Sequence, residues 1–230
     1  MKMLAMCCGL CLIASSASAA LTKAEAKRFD QSAQVINELS DSPDRGIPDD
    51  LWNRSHCVVV IPSLKKVAFV FGGEYGSGVM SCRRGTGWTA PVSMRLAKGS
   101  LGLQIGAQEV DLVLLVMNRA GVDKLLQDQV SLGVDASIAA GPVGRSSQAA
   151  TDAQLNAQML SYSRSHGLFA GIDLSGGVLR PDADANERVY GAKATAREIV
   201  DGSAKVTVPV PARSFIAALA GYGQSNRAQR

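Results

Sequence analysis

The side chains that could do chemistry are few, and most stand in the wrong company for catalysis. Only two histidines occur, His56 ahead of an apolar run and His166 in Ser165-His-Gly167. Nucleophilic catalysis needs a histidine beside an exposed serine, with a carboxylate to orient it. The serine in Gly76-Ser77-Gly78 lacks the Gly-x-Ser-x-Gly spacing that exposes such a nucleophile. Gly171-Ile-Asp-Leu-Ser-Gly176 begins like a phosphate loop, but Gly177 and Val178 stand where a lysine and a hydroxyl should follow. Gly85-Thr-Gly87 precedes strand-like text rather than a helix, so the dinucleotide fingerprint fails. Asp182, Asp184 and Asn186 copy the start of a calcium loop, yet Glu187 replaces its turn glycine and Lys193 its closing glutamate. They read as a solvated turn with helix-capping carboxylates. No metal, no cofactor and no catalytic residue is expected, and the chain reads as a non-enzyme.

What remains is cationic and apolar. Lys65, Lys66, Arg83, Arg84, Arg95, Arg145 and Arg164 lie near turns in glycine-rich text. Gathered at one rim they would bind phosphate, because guanidinium forks match its oxygens in pairs. Scattered, they are solubilising charge. Arg145 closes the turn Gly141-Pro-Val-Gly144, where backbone N–H groups can add to the anion site. Phe69, Phe71, Leu168 and Phe169 are either ordinary core or the groups that receive acyl chains. A net charge of +4 is too modest to imply nucleic acid.

The elements that must position these residues follow a leader. Met1-Lys2, an apolar run to Ile13 and Ala17-Ser-Ala19 predict a signal peptide over 1–19, too short to span a bilayer. Met6 and Leu10 precede Cys7 and Cys11 where a lipidation site wants a small residue. Cleavage near Ala19 leaves Cys57 and Cys82, which are either a disulfide stapling neighbouring strands or two separate buried thiols. Zinc would need a second pair of ligands. With 47% hydrophobic and 19% charged residues the chain is not intrinsically disordered, and neither a collagen repeat nor a sustained heptad appears.

Thr22-Lys-Ala-Glu25 is a capping box, and Phe29, Ala33, Ile36 and Leu39 follow at helical spacing. This helix either packs on the domain or lies on a membrane surface. Pro48-Asp-Asp50 starts a second, short helix. Val58 to Ile61 predicts a strand ended by Pro62, with Lys65 and Lys66 in the following turn. Val67 to Phe71, Val79 to Arg84, Trp88 to Leu96, Leu101 to Gly106 and Val110 to Met117 predict further strands. After a helix over 121–129 come strands at 134–140, 159–165 and 168–179, and two short helices at 194–200 and 214–220. The expected fold is α+β, a single domain with a curled, largely antiparallel sheet or barrel-like core and flanking helices.

Several blocks together resemble the SYLF domain family: Ile61-Pro62, Gly72-Gly-Glu-Tyr-Gly-Ser-Gly78, Trp88 with Pro91, Ser100-Leu-Gly-Leu-Gln-Ile-Gly106 with Asp111, Gly133 to Arg145, Tyr162 to Gly171, and Asn186 with Tyr190-Gly191. The resemblance covers a SYLF-like lipid-binding core (47–191), which the residues flank with a signal peptide (1–19), an amino-terminal amphipathic helix (20–46) and a carboxy-terminal helical extension (192–230). It implies a non-catalytic lipid-binding module. Eukaryotic relatives bind phosphoinositides and, in some cases, actin filaments, and bacterial relatives are secreted. The expected partner is therefore a phospholipid or membrane surface, met in the periplasm or outside the cell. An envelope scaffold that recruits a protein is the alternative, and a hydrolase of envelope components ranks third.

Overall fold

The capping box does start a helix. Thr22 Oγ1 accepts from the Glu25 N–H at 3.2 Å, Glu25 Oε2 accepts from the Thr22 N–H at 2.9 Å, and α1 runs Lys23–Ser40. Phe29, Ala33, Ile36 and Leu39 are all buried, so α1 packs on the domain as its periodicity predicts. The computed structural model describes residues 21–41, 46–68, 71–101, 106–144, 151–165, 168–191 and 194–222. The expected signal peptide, Phe69, Arg145 and His166 lie outside these, and nothing of the Phe71 side chain is described.

After α2 (Asp49–Arg54) come β1 (Cys57–Ala68), β2 (Phe71–Arg84), β3 (Gly87–Trp88), β4 (Val92–Leu101) and β5 (Gly106–Val116). Then follow α3 (Arg119–Leu125), β6 (Val130–Ser131), β7 (Ile138–Ala140), α4 (Asp152–Asn156), β8 (Met159–Ser165), β9 (Leu168–Gly171) and β10 (Gly177–Pro181). The chain closes with α5 (Ala183–Tyr190), α6 (Ala196–Asp201) and α7 (Ala212–Gly221). The sheet order is β6-β10-β4-β2-β1-β5-β8-β7, with β3 beside β2 and β9 beside β8. Every pairing of these strands is antiparallel except β7 with β8. The sheet curls into a half-barrel within one α+β domain.

Both faces of the central strands are covered, which is why β1 reads as a continuous apolar run. Val58 and Val60 face α1, α2 and α7, packing with Trp52, Phe215 and Leu219. Cys57, Val59 and Ile61 face the concave side, which Val122 and Leu125 of α3 and Ile199 of α6 help to fill. No described helix is long and apolar enough to cross a membrane.

Three expectations need correction. β1 does not stop at Pro62 but continues to Ala68, with a bulge between Val60 and Lys65 where Ser63 takes φ +51°. A bulge is a place where a strand tolerates proline. Lys65 and Lys66 therefore lie within the strand rather than in a turn. The glycine tract 72–78 lies inside β2, and the region 182–190 is helix α5: Asp182 is a helix-capping carboxylate as expected, but it is buried and no solvated turn forms.

Within the stretch Gly133 to Gly144, packing explains Gly141. A Cβ on Gly141 would run into the buried ring of Tyr162, so only glycine lets that ring lie against the backbone. Among the described residues the Tyr162 hydroxyl has no hydrogen-bond partner, and burial raises its pKa above the ordinary phenol value. An unsatisfied buried polar group costs about 1–3 kcal/mol. Tyr162→Phe is accordingly expected to raise stability by about 1 kcal/mol, read as a higher urea midpoint at unchanged slope; a lower midpoint would mean that the hydroxyl is bonded.

Candidate functional site

The glycines of Gly72-Gly-Glu-Tyr-Gly-Ser-Gly78 shape the site before any charged residue does. On the concave face a Cβ at Gly76 would come within 2.6 Å of Ile61 Cγ2 and 2.9 Å of Leu64 Cδ1. At Gly78 it would strike the Val60 carbonyl oxygen and sit 2.8 Å from Ile61 Cα. Bare backbone lets the bulged β1 bend tightly over β2. The ends of β1, β2, β4 and β10 are thereby carried past the helices that cover the rest of the convex face.

Register and alternation define that uncovered face. Glu109, Lys65, Tyr75, Ala97 and Val178 stand side by side across β5, β1, β2, β4 and β10. Tyr75 is 53% exposed and Val67, one row further out, is 47% exposed. The row nearer the helices is Ser77, Arg95 and Arg180, again directly paired. With Gln129 these residues line a hollow of about 320 Å³. An apolar stretch, Tyr75-Ala97-Val178, flanked by Lys65 and then the exposed Glu109, thus runs beside a cationic row.

The edge between this face and the helices is charged. Arg95 Nε donates to Asp182 Oδ2 at 2.6 Å, while Asp182 Oδ1 accepts from the Ala185 N–H at 3.1 Å to cap α5. Arg188 Nε donates to Glu25 Oε1 at 2.8 Å and ties α5 to α1. Burial alone would raise the Glu25 pKa, but the Thr22 N–H and Arg188 outweigh it, so the carboxyl is held below its ordinary value. Arg28 shares the field of Asp182, Glu25, Arg95 and Arg188, and desolvation lowers its own pKa. Counting Arg180, four arginines face two buried carboxylates, leaving an excess of positive charge at the lip; the exposed Asp184 also acts on Arg188.

The cations singled out in the sequence do not meet at a single rim. Lys65 and Arg95 share the uncovered face, in adjacent rows. Lys66 alternates to the other face and pairs with Glu74 at 3.4 Å. Arg164 is held between Glu38 and Asp111, the latter at 2.9 Å. Arg83 lies at the far end of β2, donating to Ser55 O at 3.0 Å and Trp52 O at 2.9 Å and stacking 4.4 Å over Trp88. Arg84, exposed, lies against Gly202. Of the apolar set, Leu168 is 53% exposed on β9, whereas Phe169 is buried among core residues beside Val113 and Tyr162. Sequence reasoning missed Tyr75, Val178, Arg180 and Gln129. The signal for Tyr75 and Ser77 was their period of two within the glycine tract; Arg180 needs the register with β4.

Cys57 and Cys82 are bonded, resolving the alternatives in favour of the bridge. They are directly opposed on β1 and β2, and Cys57 is fully buried. His56 is exposed in the turn before β1. Asn186 is occupied by the backbone of Ser93, its Oδ1 accepting at 2.7 Å, and Asp182 by its cap and Arg95. Among the described residues, no group of three histidine, cysteine or acidic side chains is arranged to hold a metal ion.

Comparison with known proteins adds a family to this geometry. The model of a family described as "Ysc84: Las17-binding protein actin regulator" matches residues 97–222. An SH3 domain-containing protein of Schizosaccharomyces pombe is 37% identical over 148 residues, 63% of this chain and 34% of its own length. LAS seventeen-binding protein 3 of Saccharomyces cerevisiae is 34% identical over 163 residues, 69% of this chain and 35% of its own length. The SH3 domain-containing YSC84-like protein 1 of Homo sapiens is 28% identical over 199 residues, 84% of this chain and 56% of its own length. The chain thus spans about a third of the fungal relatives' length and about half of the human one's.

Proposed function

Because the chain belongs to the Ysc84 (SYLF) family, we propose that it is a non-catalytic binding module whose uncovered sheet face docks on an anionic phospholipid surface. The observation that carries this reading is the pair of adjacent rows, Tyr75-Ala97-Val178 beside Ser77-Arg95-Arg180, with Lys65 at one end. A basic residue near an anionic leaflet contributes about 1 kcal/mol. Apolar groups entering the interface add about 0.8 kcal/mol per buried CH₂. Lys65, Arg95 and Arg180 steer and orient the face, and Val67 and Tyr75 provide the insertion.

Export to an oxidising compartment fits the same reading. A leader over 1–19 would deliver the chain there, and a disulfide is at home outside the reducing cytosol. The mature protein would be peripheral to the membrane and use no cofactor. The relatives' names speak of binding and regulation rather than of a reaction, which favours a non-enzyme. They also support a second reading, a protein-recruiting module, since LAS seventeen-binding protein 3 is named for a protein partner.

Co-sedimentation with vesicles tests the first reading. Retention is expected on phosphatidylglycerol-containing vesicles and not on phosphatidylcholine alone, declining with salt. Tyr75→Ser together with Val67→Ser is expected to weaken it about tenfold, equivalent to about 1.4 kcal/mol. Absence of binding to either vesicle, with a stable protein partner retained after lipid removal, would favour the second reading.

A further inference from the structure

Arg95 and Arg180 stand directly opposite each other on β4 and β10, and like charges so placed are unfavourable in a sheet. Asp182 answers only part of this, because its Oδ1 accepts from the Ala185 N–H and its Oδ2 accepts from Arg95 Nε. Among the described residues no carboxylate lies within ion-pair distance of Arg180. Ser77 and Gln129 flank the two arginines and line the same hollow, so the row ends in a hydroxyl and an amide that can both donate.

We propose that Ser77, Arg95, Arg180 and Gln129 form a discrete subsite for a phosphomonoester group. The inference rests on the lipid-surface reading and sharpens it, from a diffuse attraction for anions to a pocket with a preferred headgroup. Two guanidinium forks, a hydroxyl and a side-chain amide offer more donors than the two free oxygens of a phosphodiester can use. A monoester presents three terminal oxygens and a charge approaching −2 near neutral pH. Its remaining substituent then points over Tyr75, Ala97 and Val178, where an acyl-bearing glycerol would meet the apolar row. The phosphate can belong to a lipid headgroup or to a soluble ester; the chemistry recognised is the same.

The test compares vesicles containing phosphatidic acid with vesicles containing phosphatidylglycerol, matched in surface charge, and adds a titration with glycerol 1-phosphate followed by amide chemical shifts. The full-length protein is expected to prefer phosphatidic acid. Arg180→Gln, at an exposed site and with a like-charge contact removed, should fold normally. It should lose at least tenfold more affinity for phosphatidic acid vesicles than for phosphatidylglycerol vesicles, on which only the general attraction of one basic residue is removed. Arg180→Lys keeps the charge but not the fork, so it should retain phosphatidylglycerol binding and lose the preference. Lys65→Gln, outside the row, should weaken both vesicle types alike. Equal losses on both vesicles for Arg180→Gln overturn the subsite and leave the surface reading standing. If no vesicle binds, glycerol 1-phosphate shifting Ser77 and Gln129 in the parent but not in Arg180→Gln still supports the subsite, for a soluble ester, and it is the surface reading that fails. No shift and no preference overturn the subsite.

Discussion

Gly78→Ala is expected to lower stability by about 3 kcal/mol or more, at the upper end of what overpacking costs. The added methyl group would meet the Val60 carbonyl oxygen, Ile61 Cγ1 at 2.7 Å and Ile61 Cα at 2.8 Å. Two of those neighbours are backbone and cannot swing aside as a side chain would. Relief requires β1 to lift off β2 beside its own bulge, which opens both cores at their centre. For a domain of this size the loss corresponds to a melting temperature lower by roughly 6–12 °C. Gly99→Ala is the control. A Cβ there meets nothing within 4 Å, and its φ is not positive, so the change should be neutral or slightly stabilising. Scanning calorimetry of the two variants checks the pair; similar shifts in both would mean that the close approach at Gly78 is not what limits the site.

Removing the disulfide is the second large effect. Cys57 and Cys82 are 25 residues apart in sequence, and closing a loop of that length restricts the unfolded chain by about 3 kcal/mol. The double variant Cys57→Ala, Cys82→Ala is expected to lose about that much stability, yet to keep its fold. The strands remain paired over the rest of β1 and β2, and the cores on either side retain their packing. Cys57 is wholly buried and Cys82 nearly so, hence a mild reductant should open the bridge only at the rate of local unfolding. Urea titrations in oxidised and double-variant protein measure the difference. A loss below about 0.5 kcal/mol would mean that the unfolded chain is already held compact around residues 57–82.

Local signals in the sequence carried much of this architecture. The Thr22–Glu25 capping box and the spacing Phe29, Ala33, Ile36, Leu39 mark α1 because every contributing residue lies within a few turns. The apolar run Val58 to Ile61 marks a strand buried on both faces. Legibility ended where tertiary structure overrides a local rule. Pro62 signals the end of a strand, but here it sits at a bulge. Asp182-Ala-Asp-Ala-Asn186 looks like a polar turn, but Asp182 and Asn186 are drawn inward by Arg95 and by the backbone of Ser93. The site was less legible than the fold. Arg95 was visible as a charge, but its partner Arg180 lies far along the chain, and only strand register puts the two opposite each other. Arg83 and Arg164 have the same composition signal as Arg95, yet backbone carbonyls bind the first and carboxylates the second.

The central claim is that the rows around Tyr75 enter the lipid interface. The parent protein carries tryptophan only at Trp52 and Trp88, near Arg83 and roughly 25 Å along β2 from Tyr75. Tyr75→Trp places a reporter in the exposed apolar row with little change in shape. With anionic vesicles whose acyl chains are brominated, the variant should show quenching that the parent does not, and high salt should reverse it. If the variant sediments with the vesicles but is quenched no more than the parent, the membrane is held by another surface and the account of this face is wrong.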